Sequence, residues 1–392
     1  MESSRRSEVL EAAARVRTVL RQHADAADEE ARVSEPGMAE LRRSGLMGLL
    51  VPQEHGGLGG DLADLVEIAQ LLADGCTSTA MIWAMHCQQT DALVRFAAPA
   101  LRDRLLPRVA RGELYLASIT TGPGTSGHLL SNASPLSGTT EGLQVLREAP
   151  IVTGGTHAEG FLITMRSSPD APESEISLVY ADREQLDVVE RQDWDTLGMR
   201  GTHSLGLKLT GVVPRSQVVG EDGGFRTVAL ESMAPVGHLA WAACWLGAAR
   251  SALGGLVGLL RSPERPRSID VRSELVAERL ARIRMDLELV GGYLHRVTDE
   301  VGQLRAAGSS LAGTATQIHL NTLKVTAAEL TFRSVDRMVQ LAGLSVGYRR
   351  RSSVPLERHF RDLRSAALNY SNDRLLTATG ALTLMDRSVQ LA

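Results

Sequence analysis

The sequence predicts an α+β protein built in three parts, helical, then β, then helical again. Three observations carry this. Residues 1 to about 112 hold apolar residues at helical spacing, broken by one glycine cluster. Between about 113 and 219, short β-rich runs alternate with Gly, Pro, Ser and Asn. From about 220 onward, long heptad-like runs with mixed surface charge return. The expected domains are therefore 1–112, 113–219 and 220–392.

Each element has its own warrant. "GMAELRRSGLMGLL" is helical in pattern and ends before "VPQEHGGLGGD", whose four glycines break regular structure. "LADLVEIAQLLADGC" is amphipathic and stops at Gly75, a favourable C-terminal cap. "APALRDRLLPRVARGEL" forms another helix, stopping near Gly112. "YLASITT" (115–121), "GFLITMR" (160–166), "ISLVYAD" (176–182) and "SLGLKLTGVVP" (204–214) read as closely spaced strands of a compact β domain. "VRSELVAERLARIRMDLELVGGYLHRVTDEVGQLRAA" and "ATQIHLNTLKVTAAELTFRSVDRMVQLAGL" are the long helices of a C-terminal bundle. "AACWLGAARSALGGLVGLL" (242–260) is the most apolar stretch. Arg250 interrupts it and small residues dominate, so a buried helix is expected rather than a membrane span.

Composition narrows the function. The 392 residues are 43% hydrophobic, enough for two or three domains. The net charge of -4 and an aromatic content of 4% argue against a nucleic-acid surface. Cys76, Cys87 and Cys244 are odd in number and far apart, which excludes a disulfide framework and a zinc set. A reducing cytoplasm is expected. The N-terminus lacks the apolar core of a signal peptide.

Several motifs, in order, carry a resemblance. They are "ELRRSGLMGLLVPQEHGGLGGD", "RDRLLPRVARGELYLASITTGPGTSG", "DWDTLGMRGTHS" followed by "VPRSQVVGEDGGF", and "PLERHFRD". Their order and spacing resemble the acyl-CoA dehydrogenase superfamily of flavoproteins, from about residue 20 to 385. The resemblance implies an α-helical N-terminal domain, a middle β-barrel and a C-terminal four-helix bundle. It implies FAD between the β domain and the bundle, and a homodimer or homotetramer. It also implies an acyl thioester substrate, carried on CoA or an acyl carrier protein; no nucleic acid and no membrane span are expected, on the composition and hydropathy above.

"ASITTGPGTSG" (117–127) is a strand end followed by a hydroxyl-rich Gly-Pro-Gly loop. Such a loop offers N–H and O–H donors to the edge of an isoalloxazine ring or to an anion. The resemblance places Ile119, Thr120, Thr121 and Ser126 in contact with flavin or substrate. Thr121 replaces the family's usual acid, and Gly127 its usual Asp. In "APIVTGGTHAEGF" (149–161) the resemblance puts Thr153 near flavin N5, with Ile151 in place of an aromatic residue. In "QLAGLS" (340–345) it puts Gln340 and Gly343 against the FAD of a partner subunit. Asn372 and Arg374 fall near a flavin-contacting turn. The family's Arg-Phe-Gly grip on FAD is missing from "LLRSPERPRSIDVRSE", where Arg265, Arg267 and Arg272 offer charge without the pattern. A reduced flavin supplied by a reductase is the alternative.

The catalytic position is the discrepancy. Many members carry a Glu base eight residues after the Asp of an Arg-Asp pair. Here Asp362 leads to Tyr370, with Asn369 beside it, in "HFRDLRSAALNYSND". Asn has no titratable proton, and a phenol of ordinary pKa about 10 needs a strong downward shift to act as a base. Other members place the base on the first bundle helix. There His238 is the titratable candidate, with Glu231 two turns earlier across Pro235. Members that oxygenate with reduced flavin often carry a His where Asn369 stands. His86 either faces the substrate or packs in a helix, and the arginines of "GYRRRSSVP" (347–355) either meet CoA phosphates or form a solvated run.

Three functions are thus open. The first is α,β-dehydrogenation of an acyl thioester with FAD as hydride acceptor and an atypical base. The second is flavin-dependent oxygenation, and the third is a binding or assembly protein on the same fold.

Overall fold

The computed structural model describes residues 3–120, 122 and 129–392; Thr121 and Ser126 lie outside the described residues. The N-terminal helices are α1 (Ser3–Glu30), α2 (Glu35–Arg43), α3 (Leu62–Gly75), α4 (Thr77–Phe96) and α5 (Pro99–Ala110). Their ends follow local chemistry. The Ser34 hydroxyl accepts from the Gly37 N–H at 3.2 Å and starts α2. Asp61 and Asp64 bond each other's backbone N–H at the head of α3, a reciprocal cap. In the glycine cluster, a Cβ at Gly57 would run into the Val51 carbonyl, so only glycine fits. Trp83 is fully buried on α4 and donates from Nε1 to the Leu46 carbonyl at 2.9 Å. Truncating such a residue to Ala costs about 3–5 kcal/mol.

The middle region holds β1 (Leu116–Ile119), β2 (Ser137–Gly138), β3 (Leu143–Ala149), β4 (Gly160–Arg166), β5 (Ile176–Asp182), β6 (Leu186–Gln192), β7 (Gly206–Val213) and β8 (Val218–Val219). The expected closed barrel is not present among the described residues. The strands form two sheets, ordered β1-β4-β5-β8 and β2-β3-β7-β6. One bridge, Pro135 to Arg166, joins the approach to β2 with the end of β4, and no ladder closes the ring. β1 pairs parallel with β4, whereas the other pairs are antiparallel. Val145, Phe161, Ile163, Leu207 and Leu209 belong to the continuous buried core.

The C-terminal region holds α6 (Phe225–Val228), a π-helical turn (Ala229–Met233), α7 (Ala234–Arg261), α8 (Glu274–Ala306), α9 (Thr314–Val346), α10 (Leu356–Arg364) and α11 (Asn372–Thr383). Three helices are long; the remaining bundle position is filled by short α10 and α11, both laid against α9. The continuous segment Phe225–Arg261 is long and apolar enough to cross a membrane by length and composition. In this fold α7 is the central helix, packed by α3, α4, α8 and α9, with Leu239, Ala243 and Leu256 fully buried. Its apolar surface is therefore used inside the protein.

Candidate functional site

A cavity of about 900 Å³ opens where the two sheets meet α4, α7 and the turn between α10 and α11. Its size falls within the range of small-molecule sites. One wall is hydroxylic. Ser118 on β1 and Thr120 just past its end flank Ile119, and both line the cavity. Thr202 donates to the Met199 carbonyl at 2.7 Å and stands 2.8 Å from Ser204 Oγ. Ser204 Oγ lies 3.3 Å from Thr153 Oγ1. Tyr115 fixes the Thr153 backbone by donating to its carbonyl at 2.8 Å.

The opposite wall is aromatic. His238, Trp241 and Trp245 project from one face of α7 at spacings of three and four residues. Trp194 closes the rim, its Nε1 donating to the Met199 carbonyl at 3.0 Å. Met81, Met85, Met199 and Met233 fill between them. Three of the chain's four tryptophans thus line one cavity.

Asn369 and Tyr370 reach the cavity from the turn after α10, and the Tyr370 ring centroid lies 5.9 Å from that of His238. Burial pushes the Tyr370 phenol above its usual pKa, against a smaller opposing pull from Arg374. Burial also pushes His238 down, to about 3; the nearby Lys324 charge acts in the same direction and the Leu320 carbonyl opposes it. Both groups are therefore electrically neutral at pH 7. No carboxylate lines the cavity among the described residues. Residue 121 and the segment 123–128 contain no Asp or Glu in sequence.

The structure gathers Thr120, Ile151, Thr153, His238, Asn369 and Tyr370 around this cavity. Of the other expected contacts among the described residues, Ile119, Gln340, Gly343, Asn372 and Arg374 do not line it. The Ile119 side chain is buried in the core on the other face of β1. Asn372 is buried outside the cavity, where its Oδ1 accepts from Lys324 at 2.8 Å. Gln340 is exposed and donates to Asp336 at 2.8 Å, and Gly343 breaks α9 with φ 66° on the surface. Arg265 donates to the Leu260 carbonyl at the far end of α7. His86 does not line the cavity; it is a staple, with Nε2 at 3.0 Å from the Met47 carbonyl and Nδ1 accepting from the Leu116 N–H at 3.0 Å. Glu231 turns away to accept from Ser310 and from the Leu311 N–H. Arg350 and Arg351 pair with Asp28 and Glu29 of α1.

The sequence reading missed Ser118, Thr202, Ser204 and the three tryptophans. Part of that signal was present, because His238, Trp241 and Trp245 share a helical face. Among the described residues, no group of three or more His, Cys, Asp or Glu side chains is placed to hold a metal ion.

Comparison with known proteins agrees with the architecture. Residues 6–113 match the model of the acyl-CoA dehydrogenase N-terminal domain, and residues 239–373 that of the acyl-CoA dehydrogenase C-terminal domain. Together these cover over half of the chain. A dibenzothiophene monooxygenase of Rhodococcus qingshengii is 24% identical over 235 residues, 58% of this chain and 56% of the relative. By that alignment the chain spans about half the length (56%) of the curated relative it matches. The FMN-bound TdsC of Paenibacillus sp. A11-2 superposes with a TM-score of 0.84 at 20% identity, covering 97% of this chain and 98% of that one. The butyryl-CoA dehydrogenase of Megasphaera elsdenii superposes with a TM-score of 0.82 at 19% identity, covering 98% and 99%. These two likenesses concern the fold. The helical domains on either side of the paired sheets thus match the two models in order, and the chain belongs to the acyl-CoA dehydrogenase family.

Proposed function

We propose that this chain is a flavin-dependent oxidoreductase that oxygenates an aromatic small molecule. The observation that carries the proposal is the cavity itself, whose lining is largely aromatic, apolar and hydroxylic, with Arg361 and Arg364 as its charged members and no carboxylate among its described lining residues. Removal of a thioester α-proton needs a base, and neither Tyr370 nor His238 is tuned as one. Tyr370 is held protonated and His238 is a very weak base. Both suit a site that must donate or accept hydrogen bonds without changing charge.

The residues present fit a flavin. Ser118, Thr120 and Thr153 offer hydroxyls at one wall to the polar edge of an isoalloxazine ring. Trp241 and Trp245 offer apolar surface for a ring face or an aromatic substrate. This arrangement serves FAD and FMN alike, and the missing Arg-Phe-Gly pattern weakens the case for a separate FAD grip. When bound in reduced form, the flavin supplies the electrons that activate dioxygen. The chain's own task is to hold ring and substrate in register, exclude water and present the Tyr370 proton to the substrate side. Asn369 adds an amide that both donates and accepts.

The second reading is α,β-dehydrogenation of an acyl thioester with Tyr370 as base. It rests on the position of Tyr370 eight residues after Asp362. One experiment separates the two. Flavin-loaded protein is mixed anaerobically with butyryl-CoA, and flavin-reduced protein is mixed with dibenzothiophene under ¹⁸O₂. Oxygenation gives ¹⁸O in the product and no bleaching by the thioester. Bleaching without ¹⁸O incorporation would overturn the proposal and favour dehydrogenation. Tyr370→Phe is expected to lower oxygenation about a hundredfold or more, the usual scale for a positioned proton donor.

A further inference from the structure

Tyr370 has φ 53°, in the left-handed region that non-glycine residues seldom occupy. Such a residue persists only where its surroundings over-determine it. The turn's own bonds lie to either side. The Asn369 N–H donates to the Ser365 carbonyl at 2.9 Å, and the Asn372 N–H to the Ala367 carbonyl at 3.0 Å.

The external hold comes from α9. Lys324 is fully buried there. Its Nζ donates to the Ala366 carbonyl at 3.0 Å and to Asn372 Oδ1 at 2.8 Å. These two acceptors bracket the strained residue, four positions before it and two after. Asn372 is itself oriented, because its Nδ2 reaches Glu329 Oε1 at 3.3 Å. Lys324 Nζ also stands 5.5 Å from the ring centroid of Trp245, which lines the cavity. A buried lysine is costly: burial pushes the Lys324 pKa down to about 7, against the Glu329 charge, and Nζ has hydrogens for both acceptors whether or not it carries a charge. An apolar side chain would pack the same space but would grip neither acceptor.

We propose that Lys324 is the positioning residue of the site. It clamps the Ala366–Asn372 turn onto α9 so that Asn369 and Tyr370 stand in the cavity. The clamp stands on geometry alone; only its effect on turnover rests on the function proposed above.

Hydrogen exchange on the ligand-free protein tests the clamp without any chemistry. In Lys324→Met, the amides of residues 366–373 are expected to exchange at least tenfold faster, with α7 and α8 protected as in the unaltered protein. Unchanged exchange in 366–373 overturns the proposal, and so does a uniform loss of protection across the bundle. Should Lys324→Met fail to fold, Asn372→Ala removes one acceptor and keeps the lysine. It is expected to raise exchange about threefold or more in the same amides, and no rise there overturns the clamp. Turnover adds a coupling test: Lys324→Met lowers kcat about tenfold in the unaltered chain and has no further effect beside Tyr370→Phe. Equal losses in both backgrounds would show that the lysine does not act through Tyr370.

Discussion

Asp362 illustrates how one residue serves the cavity without lining it. Its carboxylate accepts from the Met199 N–H at 2.6 Å, and Met199 holds φ 54° in the loop that carries Trp194 and Thr202. Burial pushes its pKa up to about 6, against the Met199 N–H and the nearby Arg358 and Arg361, which lower it. A carboxyl raised on folding stabilises the protein most below its unfolded pKa, about 4, and that contribution is lost as pH rises through 6. The change amounts to about 1–3 kcal/mol. Asp362→Asn keeps an acceptor for Met199 and carries no charge. Its urea midpoint is expected to vary less between pH 4.5 and 7.5 than that of the unaltered chain, and to be higher at pH 7.5. Parallel pH profiles for the two proteins would remove Asp362 from this role. At this scale the sequence was informative where spacing is short. The family resemblance sets a count of eight residues from Asp362, and the pair at that count, Asn369 and Tyr370, lines the cavity. Thr202 and Ser204 reach it through a loop with Met199 and His203 both at positive φ, which no residue pattern announced.

Among the elements, the π-helical turn Ala229–Met233 explains why Pro235 does not break the approach to α7. The wide turn changes the bonding frame before the proline, near the first turn of α7, where a missing N–H is tolerated. Side chains from other helices hold this turn. Gln88 donates to the Met233 carbonyl at 2.6 Å, and Ser232 donates to Asp91 at 2.5 Å. Arg305 bonds both Asp91 oxygens at 3.0 and 2.8 Å and reaches the Glu231 carbonyl at 3.1 Å. Removing one partner of a buried ion pair strands the other charge. Arg305→Met is therefore expected to lose about 3 kcal/mol in chemical denaturation. The double variant Asp91→Asn, Arg305→Met should recover part of that loss, and full additivity of the two changes would exclude the coupling. Helices, with their periodic faces, were legible in the sequence. The sheets were less so. β6 (LDVVERQ) is mostly exposed and β3 alternates buried and exposed residues with charges between, so neither stood out as a hydrophobic run. Whether eight strands close into a barrel or pair as two sheets depends on edge contacts that local pattern does not encode.

Across the whole molecule, the acidic end of α1 meets a basic seam formed by the 349–361 segment. Arg358 pairs with Asp25, Arg351 with Glu29 and Arg350 with Asp28. These contacts differ in consequence because they differ in burial. The Arg351 and Glu29 side chains are 78% and 36% exposed, where solvent and salt screen the pair. Arg361 and Asp28 are 16% and 9% exposed and joined by two bonds, at 2.8 and 2.6 Å. Arg361 also donates to the Leu197 carbonyl at 3.1 Å, and Arg200 donates to the Asp28 carbonyl at 2.8 Å. The first helix, α10 and the cavity loop therefore share one buried ion pair. Glu29→Gln is expected to leave the denaturation midpoint unchanged. Asp28→Asn keeps the Arg200 contact, which is to backbone, and weakens the hold on Arg361, which retains Glu357 at 2.7 Å. The expected loss is about 2 kcal/mol, within the range for a charge-assisted bond in a buried site. Amide exchange distinguishes a local from a global effect. If the pair connects α1 to the cavity, residues 194–200 lose protection in Asp28→Asn while the β3–β7 ladder does not. Loss confined to α1 would show that the first helix is held independently of the site.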